Sequence, residues 1–542
     1  MDLQNLSLSD SPPGLHPLLL PEVVRHLGDY LARPQVVCCL RVCKTWRAAL
    51  EFILWGTLTL QNQPCNFTPP QPSPSLLLRN RHHIRHLNEI GSNSLMKFMA
   101  FSTQAPPMQL TSISCTILSP EILMIASQNI ETITSFTCRS NRLRKDEEAQ
   151  GLWYRQLFSI LEEAPRLLSL AIGPVILLDL PKEMLSKVSR TLKYLELDRV
   201  KITTKTLSAA TIVEGPESGN GYSSFELFPE LEELRLIWND FPPQSQLEIV
   251  RQSPKLKTLS WRRSARFLSQ AWLSGSLAVP AGLTKLDIGH SHIEDVDMAT
   301  LLSLTPNLRA LNARGTPFGT RSALQLLESP EMVDQMEELE LLECMNLSSA
   351  MVQTFLRTLH NLRKFSASRV EAADIARTYR NAGNNFIAIL TLVPIQRLGR
   401  EPSPTWGCLG LEVLELGIVG LYRCRSPGPV EARSFIYEQL EQLTQLQVLT
   451  LSENSSLARE SDYLLDLRLD SELYLLRGLK RLRELNVMGL RPKMQMDDIR
   501  WIATEWVGLK KLRGKLNCVD DEDYNKKLET ELKRLRPDIM RA

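Results

Sequence analysis

The chain has 542 residues, 43% apolar and 23% charged, with 63 Lys and Arg against 61 Asp and Glu. That composition excludes disorder, collagen and a disulfide-dense scaffold, and the balanced charge gives no basic surplus for nucleic acid. No stretch reaches the ~18 uninterrupted apolar residues of a membrane span, and leucine alone is out of line, at 95 residues or more than one in six.

The start, Met1-Asp2-Leu3, has no basic run before its leucines, which argues against a secretory signal. Ten scattered Cys without a CxxC pair read as reduced thiols, so a cytoplasmic or nuclear location is expected. Residues 1–15 are polar and turn-rich and read as a flexible arm.

Residues 16–58 form an apolar block that predicts three short helices. Pro21 can open the first, with Glu22 in its first turn, and Leu20, Val24, Leu27 and Leu31 make a stripe. Pro34 opens the second, with Val36, Val37 and Leu40. The third carries Trp46, Leu50 and Ile53 and ends near Trp55. Such a small block is marginal as a free domain. Residues 59–76 follow, with Pro64, Pro69, Pro70, Pro72 and Pro74, and predict a stiff linker.

From 77 to 519 the chain repeats L-x-x-L-x-L, the strand signature of leucine-rich repeats. Clear or near matches begin at Leu167, Leu192, Leu231, Leu256, Leu283, Leu308, Met336, Leu362, Leu411, Leu446 and Leu482. A truncated copy begins at Leu509, and weaker copies at Leu110 and Ile130; before 165 the repeats are irregular. Longer spacings hold loops such as 215–221 and 399–410. Positions one, four and six of the motif must point into the stack, and no repeat can bury that side alone. A Pro two residues ahead of the first Leu (Pro165, Pro229, Pro254, Pro306, with Pro280 one further out) marks the corner from helix to strand. The ninth position is polar or Cys in several copies: Asn239, Cys344, Asn454, Ser264, Ser291 and Thr316. Helices lie between the motifs, as at 348–359. Residues 520–542 predict a capping helix with Leu528, Leu532 and Leu535 on its apolar face. The fold class expected is α/β: a horseshoe solenoid with parallel strands on the concave face and helices outside, after a small helical domain.

The third, fifth and seventh motif positions face outward from the strands. They predict a basic zone of Arg235, Arg262, Lys285 and Arg314, with Trp238 beside the first and acidic Glu338 and Glu340 beyond. This set is a candidate substrate surface for an acidic or phosphorylated peptide. A solvated mixed-charge face explains the same residues. No nucleotide-binding loop, zinc-protease motif or nucleophile elbow is present, and His82 and His86 lack further ligands nearby, so no catalysis, metal or cofactor is expected.

The N-terminal block resembles the F-box. The resemblance rests on Leu20-Pro21-Glu22 opening the first helix, then Leu27 and Leu31, then Val42-Cys43-Lys44-x-Trp46-Arg47, and Trp55 closing. The usual L-P-x-E is shortened here by one residue. With the repeats, the chain resembles F-box/leucine-rich-repeat proteins, and its loop-interrupted repeats look like those of fungal F-box families. The resemblance implies a substrate-recognition subunit of a Skp–cullin–F-box ubiquitin ligase, itself non-catalytic. It implies docking on the Skp adaptor, and through it on a cullin, by Leu20, Pro21, Val24, Leu27, Leu31, Val36, Leu40, Val42 and Trp46. Each of these side chains could instead pack the three helices together. The alternative is a repeat scaffold with a degenerate F-box and no part in ubiquitination. Either way the repeats would bind a protein, with no nucleic acid or membrane partner.

Overall fold

The computed structural model describes residues 20–61, 73–90, 94–101, 108–139, 147–173, 175–177, 188, 190–202, 228–238, 249–263, 279–372, 374–375, 405–419, 429–451, 465, 467–488, 490, 492–517 and 522–541. The N-terminal arm, the loop 215–221, residues 399–404 of the loop 399–410 and the ninth-position residues Asn239, Ser264 and Asn454 lie outside them, as do residues 62–72 of the proline-rich span. The chain forms two compact units, Met1–Leu231 and Glu232–Ala542.

The first unit opens with helices α1 (Pro21–Gly28), α2 (Arg33–Cys39) and α3 (Lys44–Gly56). Pro21 sits in the first turn of α1, where its missing N–H costs nothing. Cys43 caps α3, its sulfur accepting from the Trp46 backbone N–H at 3.5 Å. Val24, Val36, Ala49 and Leu50 form the bundle's core, with Leu31, Cys39, Leu40, Trp46, Ile53 and Leu54 packed against it.

No linker follows. Helix α3 runs directly into strand β1 (Thr57–Gln61), so the repeat ladder starts 20 residues earlier than the sequence pattern suggests. Trp55, Leu58 and Leu60 stand at positions one, four and six of that first repeat. The far end of the proline span is helical too: Pro74 opens Pro74–Arg79, and Ser73 caps it. Strands β2 (His86–Ile90), β3 (Ser112–Cys115), β4 (Ser135–Arg139), β5 (Ser169–Gly173) and β7 (Tyr194–Asp198) continue β1 as a parallel ladder. A separate parallel pair joins β6 (Val175–Leu177) to β8 (Val200–Ile202).

Two early repeats read differently from the motif search. The second repeat starts at Ile84 and was hidden by a buried Glu89 at its sixth position. The repeat assigned to Ile130 starts three residues later: Ile133, Phe136 and Cys138 are the buried set, and β4 lies on them. Polar Thr and Ser at intervening positions make the two frames look alike in sequence.

The second unit is a parallel ladder of β9 (Glu233–Ile237), β10 (Thr258–Arg262), β11 (Lys285–Asp287), β12 (Ala310–Asn312), β13 (Glu338–Leu341), β14 (Lys364–Glu371), β15 (Val413–Val419), β16 (Val448–Leu451), β17 (Glu484–Asn486), β18 (Lys511–Arg513) and β19 (Met540–Arg541). Each strand pairs with the next, position for position except where β14 shifts register against β15 between Ala367 and Val370. Every one of the motif copies named above from Leu192 to Leu446 begins its strand at position three and buries positions one, four and six. Each fully buried Leu contributes about 1.5–3 kcal/mol, and stacked repeats share one core. The predicted corner prolines 165, 229, 254 and 306 all open the turn just ahead of a strand.

Position eight is a feature of the backbone. Arg199, Trp238, Arg263, His290, Gly315 and Glu343 all adopt positive φ, between 51° and 65°. Five of them lie in the second unit, where their N–H groups reach the next repeat. Trp238 donates to Arg262 O, Arg263 to Gly289 O, His290 to Arg314 O and Gly315 to Leu342 O. Glu343 donates to Ser368 Oγ. The left-handed turn costs a non-glycine residue about 1–2 kcal/mol, but it carries the inter-repeat hydrogen bonds one step beyond the strand. Ninth-position side chains then satisfy nearby carbonyls: Ser291 Oγ donates to Ile288 O, Thr316 Oγ1 to Ala313 O and Cys344 Sγ to Ala313 O.

The predicted helix at 348–359 spans Ser349–Thr358, capped by Ser348. At the C-terminus, Glu522–Leu535 is helical with Leu528 and Leu532 buried and Leu535 partly so. The cap adds something not expected, a final strand β19 on β18.

Candidate functional site

Two surfaces bear on function, one in each unit. On the three-helix bundle the predicted adaptor residues divide. Val24 and Val36 are fully buried, at 0% and 1% exposed, and hold the helices together. Leu31, Leu40 and Trp46 pack partly against that core. Val24 and Val36 therefore lie beneath the surface, while Leu31, Leu40 and Trp46 are each partly exposed on it. Leu20, Pro21, Leu27 and Val42 are exposed, Val42 at 62%. Tyr30, Val37 and Phe52 join them as exposed large side chains missed by the sequence reading. Tyr30 stacks edge-on against His26, ring centroids 5.3 Å apart. Gly28 was also missed. A Cβ there would stand 2.3 Å from Ile53 Cδ1 and 2.6 Å from Leu50 Cδ2, so its bare backbone lets α1 approach α3.

On the strand face of the second unit, the predicted basic zone does not stand apart from acids. Arg235 pairs with Glu233 two residues away, 2.7 Å. Arg262 pairs with Asp287 on the next strand, 2.6 Å, and Ser260 also reaches that carboxylate. Lys285 reaches Glu338 across β12, 3.5 Å. Arg314 grips Glu343 through Nε and Nη2 at 3.2 and 2.6 Å, which pushes its pKa further up. Glu340 takes Lys364, 3.2 Å. Every cation of the zone already has a carboxylate, so the face is a laced mixture of charges and not a basic seat. The reason is the ladder itself. Outward positions two apart on one strand, and those of nearby strands held in register, lie within reach of long side chains.

Trp238 is different. It is half exposed in the left-handed conformation, with the Arg263 guanidinium 4.1 Å from its ring centroid. Glu415 stands in the same row as Glu340, two strands on; burial pushes its carboxyl up while Arg314 and Lys364 oppose the rise. In the first unit, the buried Glu196 accepts from Arg139 at 2.6 Å and from the Tyr194 hydroxyl.

His82 and His86 do not share a helix: His82 lies in a short 3-10 turn, Arg81–His83, and His86 opens β2. Among the described residues, no group of three or more His, Cys, Asp or Glu is placed to hold a metal ion, and no helix is long and apolar enough to cross a membrane.

No family model and no curated protein matches the chain. Among solved structures, it is similar to a leucine-rich-repeat protein of Leptospira interrogans at 14% identity, over 92% of each chain, with a TM-score of 0.34. It is similar to an internalin of Listeria monocytogenes at 15% identity, over 70% of this chain and 81% of that one, TM-score 0.33. The functional domain of InlJ from the same organism, which includes a cysteine ladder, matches at 13% identity over 77% and 71%, TM-score 0.34. At that level the matches add little, and the assignment stands on the ladder: parallel strands in register, one per motif, with helices between them. The fold is that of an α/β leucine-rich-repeat ladder.

Proposed function

We propose that this protein is a non-catalytic recognition subunit: its N-terminal bundle docks an adaptor of the Skp type, linking it to a cullin ligase, and its repeats hold a protein substrate in the cytoplasm or nucleus. The observation that carries the reading is the division of apolar side chains on the bundle. A 36-residue set of three helices buries only a small core and leaves Leu20, Leu27, Tyr30, Val37, Val42 and Phe52 exposed. Exposed apolar side chains concentrated on so small an element are a mark of partner sites. The direct run from α3 into β1 supports it further, since a bundle joined to the ladder without a flexible tether would hold the adaptor in a set relation to the first repeats.

The test is a binding measurement between the full chain and a purified Skp adaptor, by size-exclusion co-elution. Co-elution that is lost in Leu27→Asp/Val42→Asp, with the melting curve unchanged, supports the proposal. A folded wild-type chain that does not bind the adaptor overturns it in favour of a repeat scaffold outside ubiquitination.

A further inference from the structure

At the ends where β14 to β17 begin lies a cleft of about 300 Å³ whose lining includes His360, Arg363, Gly410, Glu412, Gln447 and Arg481. It lies on the edge of the ladder, at motif position two and the turn before it, away from the positions that face outward from the strands. We propose that this cleft binds a phosphate monoester. The inference does not depend on adaptor docking.

Charge carries the argument. On this edge in the repeats before the cleft, position-two residues of neighbouring repeats neutralise one another: Lys257 with Glu232 at 2.7 Å and Arg309 with Glu337 at 3.5 Å. In the cleft two guanidiniums meet one carboxylate. Glu412 is shared between Arg363, at 3.7 Å, and the Gln447 amide, at 3.1 Å. Arg481 makes no hydrogen bond or ion pair among the described residues, in contrast to the cations of the strand face. The cleft therefore holds a positive surplus, with side-chain amides beside it as further donors.

Guanidinium forks match phosphate oxygens, and a tetrahedral dianion accepts from several donors at once. The volume is at the low end for ligand pockets. It suits a phosphorylated side chain or a small phosphorylated metabolite, not a nucleotide cofactor. The lining is also built in place. His360 donates Nδ1–H to Gly407 O at 3.3 Å, and its ring lies where a Cβ on residue 407 would be, 2.4 Å from Nδ1. Gly410 is the open wall: a Cβ there meets nothing within 4 Å.

That opening supplies a clean variant. Gly410→Glu adds a side chain and a negative charge to the cleft at a position with free space, so the fold is retained. The experiment is fluorescence anisotropy of the full chain with a labelled phosphoserine peptide and its unphosphorylated twin. The phosphopeptide is expected to bind at least tenfold more tightly than the twin. Arg481→Glu and Gly410→Glu are each expected to weaken it about tenfold or more, and Glu412→Gln to tighten it. Competition with glycerol 3-phosphate separates the sources. Displacement at an equal affinity assigns the site to small phosphate esters, and competition more than tenfold weaker assigns it to a protein-borne phosphate. Equal binding of peptide and twin overturns the proposal. So does wild-type affinity in both Arg481→Glu and Gly410→Glu, each shown to be folded by its thermal melt. Adaptor co-elution is read separately, so failure of one proposal leaves the other standing.

Discussion

Ser322 donates its hydroxyl hydrogen to the Asp295 carboxylate across a repeat boundary, Oγ to Oδ1 2.6 Å. The same carboxylate accepts from the backbone N–H groups of Gly319, Arg321 and Ser322 at 2.8, 3.0 and 3.1 Å. The helix Thr320–Glu328 has glycine at its N-cap and no side-chain cap of its own. The preceding repeat caps it instead, and the repeats are coupled through that bond set.

Asp295→Ala should therefore lower stability by about 1–2 kcal/mol, as a lost N-cap does, read by urea denaturation. Burial alone would raise the Asp295 pKa, but the bonds from Ser322, Arg321 and Gly319 outweigh it and the net shift is downward. A depressed carboxylate contributes stability above its unfolded pKa, near 4, and loses it as pH falls through the folded value. The gap between wild type and Asp295→Asn should be full at pH 6 and should shrink below about pH 4. A gap that does not change with pH would contradict this.

Gly173→Ala should destabilise the first unit by about 1–3 kcal/mol. A Cβ at residue 173 would stand 2.1 Å from the backbone oxygen of Asp198 on the neighbouring strand, and a ladder-bound carbonyl cannot step aside. Thermal melting checks it. Gly151→Ala, whose Cβ meets nothing within 4 Å, is the control and should not destabilise.

The bundle separates contact from support. Leu27→Asp and Val42→Asp sit on exposed positions and should change stability by no more than about 0.5 kcal/mol, while removing adaptor binding. Val24→Ala empties a fully buried site and should cost about 1–3 kcal/mol. Val24→Ala that melts as wild type does would place Val24 outside the core.

Thiol chemistry should follow burial. Cys344 and Cys408 are buried, and desolvation pushes their thiols up to about 11 and about 12. Cys38 is exposed. Residue-resolved labelling with iodoacetamide at pH 8 should modify Cys38 well before Cys344 and Cys408, which stay unmodified until the chain unfolds.

Pairing on the strand face should be weak in energy. A double-mutant cycle on Arg262 and Asp287 should give a coupling of about 0.2–1 kcal/mol that falls with added salt, since Arg262 is close to half exposed.

The leucines at positions one, four and six decided the ladder from the sequence alone, because each strand needs the same three inward side chains, and the corner prolines recur in step with them. The helix at 349–358, the corner prolines and the capping helix follow from equally local chemistry. The beginning of the ladder did not show, because Glu89 stands at an inward position and Thr and Ser blur the frame at Ile133. Only tertiary structure decided which charges meet. Arg235, Arg262, Lys285 and Arg314 look like a basic zone when read along the chain, yet each has a carboxylate beside it, on its own strand for Arg235 and on other repeats for the other three. The same holds for Leu27 and Val24. Both are apolar residues of one helical stripe, but one faces outward and the other closes the core, because α3 packs against only one side of α1. Sequence spacing determines the repeating unit; the packing of one unit on the next determines which side chains remain available to a partner.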